Sequence, residues 1–149
     1  MKRPALALAA ILAICLDADA QPIRKALFPE RFEAPMSAAR KLDGKTFAGA
    51  LQMQLAHRHV ERGRLTLNER HLWNIVNGSD SKRRERQLAY AEAHVRAHLR
   101  TMQAEGHKLG ATSFEGTAAI NWQDVDWAAI WSVVWQVLQM ILPLLLMLL

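Results

Sequence analysis

"WAAIWSVVWQVLQMILPLLLMLL", residues 127–149, contains no charged side chain in a protein otherwise rich in Lys and Arg. As a helix the stretch is about 34 Å long, against about 30 Å for the hydrocarbon core of a bilayer. It therefore reads as a hydrophobic membrane-anchor helix, with its lead-in covering 124–149. Trp127, Trp131, Trp135, Leu138, Ile141 and Leu142 are the residues expected to hold it in lipid. Trp122 and Trp127 stand beside Asp124 and Asp126 at the leading edge, as an aromatic belt next to water does. The lack of Lys and Arg at that edge fits the non-cytoplasmic side. No basic residue follows to give the usual cytoplasmic stop.

Four residues break the apolar pattern. Ser132, Gln136, Gln139 and Pro143 recur at steps of four, three and four, so they share one side of a helix. Polar groups along one seam are poorly matched to lipid. Ser132, Gln136 and Gln139 are accordingly expected to meet partner helices, which predicts self-association through the tail. A glycolipid-anchor signal at Gly116, Thr117 and Ala118 fits less well, because the spacer after it carries two Trp. A peripheral amphipathic helix also fits less well, because the Leu-rich end from Met140 is apolar all round.

The other end reads as a secretory signal over 1–20. Lys2 and Arg3 lead, Ala5 to Leu16 is apolar, and Ala18-Asp19-Ala20 offers small residues for cleavage before Gln21. Cys15 is the single cysteine. Bulky Ile14 before it argues against a lipoprotein site, and its removal with the signal excludes disulfides and Cys-ligated zinc from the mature chain.

Between these ends the charge is uneven. Residues 21–110 hold 17 Lys plus Arg against 9 Asp plus Glu, whereas 111–149 hold only Glu115, Asp124 and Asp126. Residues 21–42, with Pro22, Pro29 and Pro35, read as an extended lead-in. Residues 43–110 read as a basic helical domain and 111–123 as a linker.

Within the domain the spacing predicts helices over 44–62, 67–77 and 81–105. Gly63, Gly78 and Gly106 sit where left-handed C′ residues would end them. Thr66 and Glu69 have capping-box spacing, one of Ser79, Asp80 or Ser81 suits the next N-cap, and Asp43 suits the first. Leu88, Ala91, Val95, Leu99 and Met102 form the clearest apolar stripe, joined by Leu72, Ile75 and Val76 and by Phe47, Ala48, Leu51 and Leu55. No alternating β-branched run appears. The expected fold is all-α, a small bundle of about three helices plus the C-terminal transmembrane-type helix. A body of about 70 residues is marginal alone, so support from an oligomer or a membrane is expected.

No enzyme signature is present. His94 and His98 share a helix side, but Val95 stands where a zincin needs Glu, and no further ligand completes a set. There is no nucleophile elbow and no Gly-rich phosphate loop. No catalytic residue, cofactor or metal is assigned. Lys82, Arg83, Arg84 and Arg86 form the densest basic cluster, a candidate contact for anionic polymers or headgroups. Without interleaved aromatics it does not read as a nucleic-acid site.

The expectation is an exported protein anchored by its C-terminal helix, with its helical domain on the non-cytoplasmic side. Its role would be structural or interactive at a membrane or cell envelope. The alternatives are a toxin or lysis factor whose tail oligomerises and permeabilises the bilayer, and a His-dependent metal-binding protein or enzyme.

Overall fold

The computed structural model describes residues 39–148. The expected signal, and the lead-in as far as residue 38, lie outside the described residues. Among the described residues there are four α-helices, one 3₁₀ turn and no strand: α1 (Phe47–Arg62), α2 (Leu67–Asn77), α3 (Ser81–Ala104), the 3₁₀ turn Trp122–Asp124 and α4 (Trp127–Leu148). The fold is all-α, and by length and composition α4 could cross a membrane.

Local chemistry explains the boundaries. The Thr66 hydroxyl accepts from the Glu69 N–H at 3.3 Å, and Glu69 Oε2 accepts from the Thr66 N–H at 2.8 Å, so the capping box closes and α2 begins at Leu67. Asp80 caps α3 by accepting from the Arg83 N–H at 3.0 Å.

The start of α1 differs from expectation. Its N-cap is Thr46, whose hydroxyl accepts from the Gly49 N–H at 3.1 Å. Asp43 acts one turn earlier, its carboxylate accepting from the Lys45 N–H and its carbonyl from the Thr46 N–H. This turn folds tightly over the helix start. A Cβ on Gly49 would lie 1.9 Å from the Asp43 carbonyl oxygen, so only glycine fits there.

Gly63 and Gly106 adopt positive φ after α1 and α3, but Gly78 has φ −57°. The Asn77 amide donates to the Trp73 carbonyl at 3.0 Å and Gly78 N–H to the Ile75 carbonyl, which satisfies the end of α2 without a left-handed residue.

The core draws on more of the chain than residues 43–110. Leu51, Leu55, Leu72, Val76, Val95 and Leu99 are buried as the stripes predict, while Leu88 and Met102 are only half-buried. Phe114 and Trp122, in or at the end of the expected linker, are also among the fully buried side chains. The Trp122 ring stands edge-on to Phe47 at 5.1 Å, and its N–H donates to Glu92 at 2.9 Å. It therefore belongs to the core and not to an interfacial belt in this packing.

The segment between α3 and Trp122 is strapped along α3 by side chains. Gln103 both donates to the Thr112 carbonyl and accepts from the Phe114 N–H. Arg100 donates to the carbonyls of Phe114 and Gly116, and Arg96 to that of Ala118. Cations that look solvated in the sequence thus satisfy loop carbonyls that a helix ladder would otherwise pair.

Candidate functional site

The site is built around α4. Asp126 caps it, its carboxylate accepting from the Ala129 N–H at 3.2 Å, where negative charge also suits the helix dipole. The chain can bring Asp126 there because Gly110 lies beneath it. A Cβ on Gly110 would approach the Asp126 Cβ to 2.9 Å, and its φ of +84° also favours glycine.

The helix then runs antiparallel to α3. Asp126 lies against Gly110, beyond the α3 C-terminus. Gln136, Gln139 and Met140 share a shallow groove with His98, and the Leu145 carbonyl accepts from Gln87 Nε2 at 2.9 Å. That last bond is buried. It satisfies one of the carbonyls in the last turn of α4, which have few partners within the helix.

The two faces of α4 are sharply unequal. Ile130, Trp131, Val134, Val137, Leu138, Ile141, Leu142 and Leu145 are buried against the bundle, and the Arg58 guanidinium lies 5.4 Å from the Trp131 ring centre. Trp127 and Trp135 are half-buried and continue an aromatic row with Trp122 and Trp131. Of the residues expected to hold the helix in lipid, Trp131, Leu138, Ile141 and Leu142 are therefore turned toward protein, and Trp127 and Trp135 partly so.

Ser132, Gln136, Gln139 and Pro143 are exposed, together with Ala128, Ala129, Met140, Leu146 and Met147. The polar seam looks outward. No charge interrupts this outward face over the length of the helix. Pro143 lacks the N–H that would pair the Gln139 carbonyl, and it stands on the exposed side of the helix.

The basic cluster sits at one end of this arrangement. Gln87 pins the finish of α4 beside the start of α3, where Lys82, Arg83 and Arg86 are exposed. Arg84 differs from them, donating to the Gly78 carbonyl at 2.6 Å and so tying α3 to the end of α2.

His94 and His98 are both exposed but do different things. The His94 ring packs 4.1 Å from the Tyr90 ring, with Nδ1 3.0 Å from the Tyr90 carbonyl oxygen, while His98 lines the groove beside Gln136 and Gln139. Among the described residues no group of three or more His, Cys, Asp or Glu is placed to hold a metal ion.

Sequence reasoning missed Gln87, Arg58, Arg96 and Arg100. Only Gln87 had a legible signal, since it stands four residues before Ala91 on the buried side of α3.

Comparison with family models, with curated proteins and with solved structures gave no match.

Proposed function

We propose that the protein is exported and associates with a membrane through α4, where the helical bundle serves a structural or interaction role. One observation carries this reading: α4 is a 22-residue helix without a charge, on its outward face as well as its buried one. A helix that only closed a water-exposed bundle would ordinarily carry charged residues outward, as α3 does.

Packing against α3 and crossing a bilayer exclude each other. α3 lies along α4 and carries Arg86, Glu85 and Arg96, and a charge at the bilayer centre costs about 2.5–3.5 kcal/mol or more. In the packed form the outward face and the tip of α4 are the parts available to lipid. Crossing requires α4 to leave the bundle. Its apolar side chains would then exchange protein for hydrocarbon at little cost, and the uncovered faces of α2 and α3 would need new cover.

Fractionation of cells making the full chain tests the reading. The expected result is a protein in the membrane fraction, released by detergent, beginning at Gln21 and cleaved by protease added from outside. A chain found with the soluble cytoplasmic proteins and still beginning at Met1 would refute it.

A second reading is favoured by the outward position of Ser132, Gln136 and Gln139. Inserted copies could join these seams around a polar path, which would make the protein membrane-permeabilising. Dye release from vesicles, abolished by replacing both Gln with Leu, is the outcome that supports it. Intact vesicles at saturating protein would rule it out.

A further inference from the structure

The finish of α4 and the start of α3 form one end of the bundle, and two kinds of side chain meet there. Met147 is 82% exposed, Leu144 41% and Leu146 40%. The buried Gln87–Leu145 hydrogen bond fixes them beside the first turns of α3. Those turns present Lys82, Arg83 and Arg86 to solvent. None of the three takes part in an ion pair among the described residues. Of the carboxylates nearby, Asp80 is occupied in capping the Arg83 N–H, and Glu85 is the other.

We propose that this end of the bundle docks on an anionic lipid surface. Leu146 and Met147 enter the headgroup layer, and Lys82, Arg83 and Arg86 meet lipid phosphates. The proposal rests on the reading of α4 as a membrane contact and adds the lipid class and the orientation.

Its physical basis is complementarity of both kinds at once. Apolar tips gain only by leaving water, and cations gain near a negative surface. A nucleic acid or a soluble polyanion would engage the cations but leave Leu146 and Met147 wet. Cations in the first turn of a helix also oppose the macrodipole, so their solvent-exposed placement is unfavourable without an anionic partner.

The test is co-sedimentation of the full chain with vesicles of phosphatidylcholine alone and of phosphatidylcholine mixed with phosphatidylglycerol, at low and high salt. The chain should prefer the anionic vesicles and lose that preference in salt. Replacing Lys82, Arg83 and Arg86 together with Gln should weaken anionic binding about a hundredfold, at roughly fivefold for each cation near the surface. Met147→Ser should weaken binding to both vesicles. Replacing Lys45, Arg64 and Lys108 with Gln removes equal charge elsewhere and should leave most of the binding in place.

Equal binding to both vesicles, or an equal loss in the two triple variants, overturns the basic end as a docking site and leaves the α4 reading standing. Absence of binding to either vesicle overturns both. Retention on heparin without vesicle binding reassigns the cluster to a soluble polyanion and overturns the lipid proposal.

Discussion

α3 and α4 are antiparallel neighbours of similar length, 24 and 22 residues, and their inner faces are alike. Both bury an apolar stripe at helical spacing, Ala91, Val95 and Leu99 on one, Val134, Leu138, Ile141 and Leu145 on the other. Their outer faces are opposites. α3 shows Lys82, Glu85 and Arg86 to solvent, and α4 shows Ala128, Ser132, Gln136, Gln139 and Met140. Burial within the bundle therefore accounts for the apolar half of α4, and it leaves the missing charges on the other half to be explained. Contact with lipid, proposed for α4, accounts for them.

Removing one of the two helices should have the largest effect. A chain ending at Gly110 lacks Phe114, Trp122 and all of α4. That uncovers the apolar faces of α2 and α3 on which α4 packs and leaves a body of about 70 residues, which is marginal alone. Such a chain should show no cooperative thermal unfolding by circular dichroism. A sharp melt would mean that α4 is an appendage to a self-sufficient body.

Within α4 the two faces should respond unequally. Leu138→Ala opens a cavity at a fully buried position and should cost about 2–5 kcal/mol, whereas Gln139→Ala on the exposed face should stay within about 0.5 kcal/mol. Urea unfolding of the two variants side by side measures the difference. Similar values would contradict the packing of α4 described here.

The seam between the helices offers a smaller effect. Gln87→Leu keeps the volume but leaves the Leu145 carbonyl without its donor, at a cost of about 1–3 kcal/mol. Hydrogen exchange should then rise in the last turn of α4 more than in α1. Uniform change across the helices would show that Gln87 acts by packing alone.

The smallest effect concerns association. Replacing Gln136 and Gln139 with Leu removes interhelical hydrogen bonds worth about 0.6–2 kcal/mol in membrane helices. Cross-linked oligomers recovered from membranes should weaken while the membrane-bound amount holds. Unchanged oligomers would mark the seam as tolerated polarity.

Much of this arrangement was legible in the residues. Thr66 and Glu69 announced the start of α2, and the step from Ala91 through Val95 to Leu99 announced the buried side of α3. The docking of α4 was hidden, because hydrophobic length measures only avoidance of water. A protein interior and a bilayer satisfy it equally. The outward Ser132, Gln136 and Gln139 held a clue, since polar residues on one side of an otherwise apolar helix also mark the side turned away from a protein core. The strap at 111–121 had no legible signal. Arg96 and Arg100 bond to backbone carbonyls of Phe114, Gly116 and Ala118, and carbonyls are common to every residue.

α4, free of charge on its outward face as well as its buried one, is proposed as the membrane contact. Introducing Gln136→Lys and Gln139→Lys together tests this, since both positions are exposed and leave the buried face intact. The full chain should keep its helical content and melt within a few degrees of the parent in water, yet disappear from the membrane fraction, because each Lys at mid-helix costs about 2.5–3.5 kcal/mol once α4 leaves the bundle for hydrocarbon. A doubly substituted chain that still sediments with membranes as fully as the parent would contradict it.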